Sequence, residues 1–370
     1  MHFDAALQGR YGTCEVCLAK ARTPSCKLTG RMRKRTRYTL LAVVLLLCAL
    51  AAALYLRMKA PPEAARLLPE SDAIVYVNLK PLRASTHFDR NPVPPSPSLQ
   101  QFTDATGIVP ERDVDSAAFA LHRMADPNGP NGTVAFSEVV EARFDRARLE
   151  RYLAALAARL PNGSPAPDAG QEGYAGRTIY NIPSQGRMLR VAVLGYNTVV
   201  ASNMPTPEQI HSMLDRHRAA ASPFAGSSLL NDRYGDVPAF SVAWGIGHIG
   251  LPFAAPGSAQ NHITLLGVEL PLPADTTFVA SVRYAGAVKL RVDQITPSEA
   301  DAQQSVHQLN ALLNLFRSLQ QIQQPTARTP EDSAIRQFTD SIEIEQHRDR
   351  ATLTATLPAE ALKRLTNATP

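Results

Sequence analysis

No cysteine follows position 48 in this 370-residue chain; the four present are Cys14, Cys17, Cys26 and Cys48. Whatever folds beyond them does so without a disulfide. It must be held by ordinary packing, which a region of that size permits. The signatures of several chemistries are missing too. There is no GxxxxGK[ST] to wrap phosphates, no HExxH to hold zinc on a helix face and no GxSxG to expose a nucleophilic serine. Basic charge is scarce where it would matter. Residues 1–37 hold nine Lys/Arg against two acids, a net +7; since the whole chain carries +5, residues 38–370 carry −2. That removes the electrostatic footprint of a nucleic-acid-binding domain, and no nucleic acid is expected as a partner.

What the chain does have is one long apolar run. Tyr38 to Leu56 contains no charge, no Pro and no Gly. As a helix, those residues extend roughly 28 Å, close to the ~30 Å hydrocarbon core of a bilayer. Residues 38–57 are therefore expected to form a single transmembrane helix in contact with the lipid bilayer. Eight of the nine basic residues of the tail lie within 18 positions of Tyr38. Basic residues near a span stay on the cytoplasmic side. The expected location is the cell (inner) membrane, single-pass, with the N-terminus cytoplasmic and the large C-terminal region periplasmic or extracellular. Ala51-Ala52-Ala53 offers a rival reading, a cleaved signal peptide, but the run is longer than a usual signal core.

The tail raises one metal question. Cys14 and Cys17 form a CxxC, with Cys26 following. These three thiolates are the candidate metal ligands. Zinc takes four ligands, so His2, a second chain or an open position would have to complete the site. Against this stands Met32, followed by RKRTRYTLLAVVLLL, which is how an export signal begins. If translation starts there, residues 1–31 are not part of the protein.

Beyond the span, residues 58–72 read as a linker. Ala73–Leu79, Ser116–Met124 and Thr133–Phe144 alternate like strands. A helix follows with Asp145 as cap. Arg177–Ile182, Met188–Leu194 and Thr198–Ser202 are further strands, then a helix from about Pro207. The grammar recurs later. Ala239–Ile246, Ile263–Leu270, Thr277–Tyr284 and Ala287–Ile295 precede a helix over 298–322, with Ser298 at its cap. Ser341–His347 and Ala351–Leu357 precede a last helix from Pro358. The expected fold class is α+β: antiparallel sheets with helices on one face, possibly duplicated as two ββα-rich halves, 73–235 and 236–370.

Trp244 to Gly250 contains GxGxxG after a strand, and Glu269 lies about 20 residues on, the outline of a dinucleotide site. That mechanism needs a helix opening at the glycines. Pro252, Pro256 and Gly257 argue against one. No cofactor is expected, and no catalytic residue is assigned. The helix 298–322 carries a wide apolar face, including Leu312, Leu315 and Leu319, which suits either burial or a homo-oligomer.

The segments MRKRTRYTLLAVVLLL, LLPESDAIVYVNL, TPEQIHSMLD and LPAEALKRL together resemble the layout of an uncharacterised bacterial family of single-pass, N-terminally anchored exported α+β proteins. The resemblance covers most of 32–370. It implies an anchor and an exported domain and carries over no catalytic residue. The expected role is a non-catalytic binding module that meets a ligand or an envelope protein partner. Two alternatives remain open: an exported hydrolase whose site is assembled from distant residues, and a transmembrane sensor with the cysteine tail inside.

Overall fold

A computed structural model describes residues 34–90, 95–126, 132–158, 170–184, 186–219, 226–248, 262–265, 268–271, 276–323 and 330–358. Cys14, Cys17 and Cys26 lie outside them, as do the last twelve residues expected to hold the final helix. The chain divides into two compact units, Met1–Tyr55 and Leu56–Pro370. The first contains most of α1 (Lys34–Lys59), a continuous helix over the whole apolar run. Its described side chains, 38–53, are exposed. Among the described residues no helix is long and apolar enough to cross a membrane.

The second unit is α+β and is built on one large antiparallel sheet. Its first part runs α2 (Glu63–Leu67), β1 (Ala73–Asn78), α3 (Leu79–Thr86), α4 (Pro97–Thr106), α5 (Pro110–Asp113), β2 (Val114–Arg123), β3 (Val134–Ala142) and α6 (Arg146–Ala157). Then come β4 (Gln171–Tyr174), β5 (Arg177–Ser184), β6 (Arg187–Leu194), β7 (Thr198–Ser202), α7 (Glu208–Arg218) and α8 (Ser228–Arg233). The rest is β8 (Ala243–His248), β9 (His262–Leu265), β10 (Val268–Pro271), β11 (Thr277–Tyr284), β12 (Ala287–Ile295), α9 (Glu299–Gln323), α10 (Pro330–Asp340), β13 (Glu343–His347) and β14 (Arg350–Pro358).

Twelve strands form one sheet in the order β13-β14-β12-β11-β8-β1-β2-β3-β7-β6-β5-β4, while β9 and β10 make a separate hairpin. The fifth and sixth strands are the antiparallel pair β8 and β1, where Ile74 faces Ile246 and Tyr76 faces Trp244. The two sequence halves thus share one sheet. One glycine of the GxGxxG segment explains itself here. A side chain on Gly247 would bring its Cβ to 2.5 Å from the Cβ of Ala73 across the strand pair. Gly247 lets β8 lie against β1. Gly245 and Gly247 sit inside a strand, not at the start of a helix, and 249–261, with Gly250, lie outside the described residues.

The expectation of helices on one face needs correction. Val200 belongs to the apolar cluster formed with Ile210, Met213 and Leu214 of α7. Its neighbour Ala201 belongs to the cluster formed with Leu149, Leu153 and Ala157 of α6. Successive residues of a strand point to opposite faces, so α7 and α6 cover opposite faces. The same holds on the other side of the sheet. Gln294 donates from Nε2 to Ser305 of α9 at 3.1 Å, which places α9 on the face opposite Asp293. A helix with one apolar stripe needs one sheet face, but a twelve-stranded sheet has two apolar faces to cover.

Local rules account for most ends. Asp145 accepts from the amide of Arg148 at 3.1 Å and opens α6. Ser298 accepts from the amide of Asp301 at 3.2 Å and donates to its carboxylate at 2.7 Å, a capping box before α9. In the Pro-rich stretch that follows Asp89, Ser96 caps α4 and Pro97 sits in its first turn. Ile263–Leu270 is a two-stranded hairpin rather than one strand.

Candidate functional site

One face of the sheet carries a row of side chains across the central seam: Val139, Ala118, Tyr76, Trp244, Ser281 and Arg291. Aromatic residues at the middle of this row stack, Tyr76 on Trp244 with ring centroids 5.4 Å apart and 29° between planes. Trp244 is the single tryptophan of the chain. Above the row runs the connection from α8 into β8. A 3-10 turn, Tyr234–Asp236, sets the Tyr234 ring edge-on to Trp244 at 5.4 Å. The connection is then drawn to the sheet. The carbonyl of Val242 accepts from the Asn78 amide at 2.7 Å, and its own amide donates to Val282 at 2.8 Å.

Between sheet and connection lies a cavity of about 510 Å³. Its floor is Tyr76 and Trp244, its wall Tyr234, and its polar edges Asn78, Asp236 and Arg291. The size falls within the range for small-molecule sites, and aromatic surface with a few polar groups is their usual lining. Phe240 stands at its rim, 81% exposed. It sits at φ +63°, in the left-handed region that a residue with a bulky side chain rarely adopts. The Ser241 hydroxyl closes the turn beneath it by donating to the Pro238 carbonyl at 2.6 Å. An exposed phenylalanine held in a strained backbone has no packing to justify it, and such strain concentrates at functional sites.

The electrostatics favour donors over acceptors. Burial pushes the Tyr76 phenol up to about 12; a hydrogen bond with Ser116 works against this, and the nearby Glu141 carboxylate and Tyr234 add to it. Burial raises the Tyr234 phenol as well. Both stay protonated throughout the physiological range. Asp236 is held by Arg350 at 2.8 Å and lies 3.9 Å from Arg233. Asp293, buried below the cavity, accepts from Arg291 Nε at 2.8 Å and from Thr352 Oγ1 at 2.7 Å. Both carboxylates sit in ion pairs.

Two other constellations outside this cavity look like chemistry and are better explained as structure. His122 Nε2 lies 3.0 Å from Ser137 Oγ, which lies 3.0 Å from Ser202 Oγ. All three are buried, so the serines are closed to substrate. Burial lowers the His122 pKa, against smaller opposing effects from Asp72 and a backbone bond with Glu70. At the sheet edge, His211 Nε2 meets Glu172 at 2.7 Å, and Tyr174 stacks on the His211 ring at 3.8 Å while donating to Asp215 at 2.8 Å. These groups bond one another and fasten β4 to α7. Among the described residues no cluster of three or more His, Cys, Asp or Glu is placed to hold a metal.

Sequence reasoning weighed Trp244 through Gly250 as a dinucleotide site and set it aside on Pro252, Pro256 and Gly257; Ala243–His248 form β8, and 249–261 lie outside the described residues. It passed over Tyr76, Tyr234, Phe240 and Arg291. The available signal was compositional: the chain's single tryptophan lies ten residues from a Tyr-Gly-Asp turn, with a proline and a phenylalanine between.

No protein-family model matches the chain. No curated protein matches it either. Among solved structures it is similar to crystal form I of TP0453, at 10% identity and a TM-score of 0.44, covering 84% of this chain and 98% of that one. Crystal form III of TP0453 gives 10% identity and a TM-score of 0.42, covering 83% and 99%.

Proposed function

We propose that this chain is a membrane-anchored extracytoplasmic protein whose large domain binds a small ligand in the cavity at the β1–β8 seam. The observation that carries this reading is the cavity itself, with an aromatic floor, ion-paired acids and a strained, exposed phenylalanine at its mouth. The anchor rests on the uncharged run of 38–56, continuous as one helix, and on the basic tail before it. The halves read as a duplication. In each, three strands lead to a helix and the last strand returns beside the third: β1-β2-β3, α6 and β7; β8-β11-β12, α9 and β14. Their first strands pair with each other, so the ligand site lies where the two repeats meet.

Purification from the source membrane in mild detergent tests this. After denaturation, mass spectrometry of the released small molecules should find one species in near-equal amount to protein. That species should be lost from a Gly235→Phe variant; Gly235 borders the cavity, and a side chain there meets nothing within 4 Å. Turnover of any substrate in a broad hydrolase screen would overturn the non-catalytic reading. Recovery of the protein from the soluble fraction with its N-terminus near Leu54 would overturn the anchor.

A further inference from the structure

The cavity's hydrogen-bonding groups are unevenly used. Among the described residues, its side-chain acceptors Asp236 and Asn78 are engaged, Asp236 by Arg350 and the Asn78 Oδ1 by the Lys80 amide at 3.2 Å, as is the Pro238 carbonyl by Ser241. Its donors are not. Arg291 gives its Nε hydrogen to Asp293, and nothing described accepts from its Nη groups. The Asn78 Nδ2 and the Tyr234 hydroxyl likewise have no described partner. A guanidinium presents five N–H donors in a planar fork suited to carboxylate or phosphate oxygens. Here Asp293 fixes the fork from below, and Thr352 in turn fixes Asp293. Arg291 also lines the cavity, so its guanidinium is held at the site before any ligand arrives. Four aromatic residues, Tyr76, Trp244, Tyr234 and Phe240, share the lining with Pro62 and the 235–241 connection.

We infer that the ligand is a small ring-bearing organic anion, its carboxylate or phosphate bound by the Nη groups of Arg291 and its ring held by the aromatic residues. This rests on the cavity being the ligand site. The Asn78 amide and the Tyr234 hydroxyl supply the remaining bonds to the anionic oxygens. Phe240 closes over the ring from the rim.

The full-length protein in detergent allows a direct test, because its single tryptophan, Trp244, reports from the cavity floor. Emission excited at 295 nm is followed during titration with phenyl phosphate, inorganic phosphate and benzyl alcohol. Phenyl phosphate should change the emission saturably. Inorganic phosphate and benzyl alcohol, which carry only one of the two features, should each bind at least ten-fold more weakly. Arg291→Gln should weaken phenyl phosphate at least ten-fold and leave benzyl alcohol unchanged. Since that variant leaves Asp293 buried without its cation, Arg291→Gln with Asp293→Asn is measured beside it and should lose the same affinity in a folded protein. Equal binding of phenyl phosphate and benzyl alcohol, unaffected by either variant, would overturn the anion assignment and leave the cavity as a ligand site. Response to inorganic phosphate as strong as to phenyl phosphate would overturn the ring. Silence from all three, with Gly235→Phe equally without effect on copurifying molecules, would overturn both readings.

Discussion

Phe240 is the residue whose position asks most for an explanation. Its left-handed φ costs about 1–2 kcal/mol for a residue other than glycine, and its side chain is too exposed to recover that by packing. Phe240→Gly should therefore leave the melting temperature unchanged or raise it, even though glycine adds chain entropy to the unfolded state. The same variant should weaken ligand retention, because the rim loses its ring. Thermal unfolding and ligand release measured on one preparation check both halves of this statement. Nothing in the sequence marks the left-handed backbone of Phe240, because that conformation follows from the turn and the seam rather than from the residue. Asp145 and Ser298, by contrast, were readable as caps, since a cap acts on amides two or three residues away. His122 gives a second test at this scale. Burial lowers its folded pKa below that of the unfolded chain, about 6.5. As pH falls below ~6.5 the unfolded chain takes up the proton first, so this group's contribution to stability declines and then levels off below the folded pKa. The drop in urea midpoint between pH 7.5 and 5 should be smaller in His122→Gln than in the native protein. Glu138 works in the other direction. Burial raises its pKa; its contribution is favourable below the unfolded value and is lost as pH rises. Glu138→Gln should raise the melting temperature at pH 7 and lose that advantage near pH 4.

At the scale of elements, α8 matters beyond its six residues, because the cavity's cover starts at its end. Its N-terminus is secured twice. Ser227, fully buried, caps the Leu230 amide at 3.3 Å. Glu70 accepts from the Ser228 amide at 2.9 Å and from its hydroxyl at 2.7 Å, and from Arg216 of α7 at 3.0 Å. Burial would raise the Glu70 pKa, but the bonds from Ser228 and Arg216 outweigh it and hold the carboxyl below its ordinary value. Its stabilisation is thus present at neutral pH and is lost as pH falls through the folded pKa. Ser227→Ala should cost about 1 kcal/mol. Glu70→Gln, on a more exposed group, should cost no more than that at pH 7. Both should increase amide exchange across 234–241 more than across α6, which rests on the other face. Element types were legible where alternation was strong, as in β2, β3, β11 and β12. β4 was missed because Gln171–Tyr174 is polar and lies at the sheet edge, where neither face demands an apolar pattern. The start of α4 was hidden behind prolines, although Ser96 and Pro97 together form a usable start signal.

For the whole molecule, the decisive pairing is one that local pattern cannot reveal. Tyr76 and Trp244 meet across the central strands from opposite halves of the sequence, and Ile74 meets Ile246 in the next row. An α+β fold with antiparallel strands was legible; the joining of β1 and β8 within one sheet was not, because strand-pairing partners are set by the register of distant residues. The fusion has a thermodynamic consequence. A half separated from its partner would bare the edge of its first strand together with buried apolar side chains, Ile74 and Tyr76 on one side and Trp244 and Ile246 on the other. Exposed apolar edges favour association over folding. Residues 58–235 and 236–370 made separately should therefore aggregate, and made together should recover a soluble complex. The intact domain offers a finer check. Trp244 emission reports the seam alone, and far-ultraviolet circular dichroism reports every strand and helix. Cooperative unfolding requires the two curves to coincide in urea. Coincident midpoints mean that the seam breaks only when both halves unfold. An early Trp244 transition, with most circular dichroism retained, would make the halves independent folding units, and the ligand site would then be an interface between two domains that open and close.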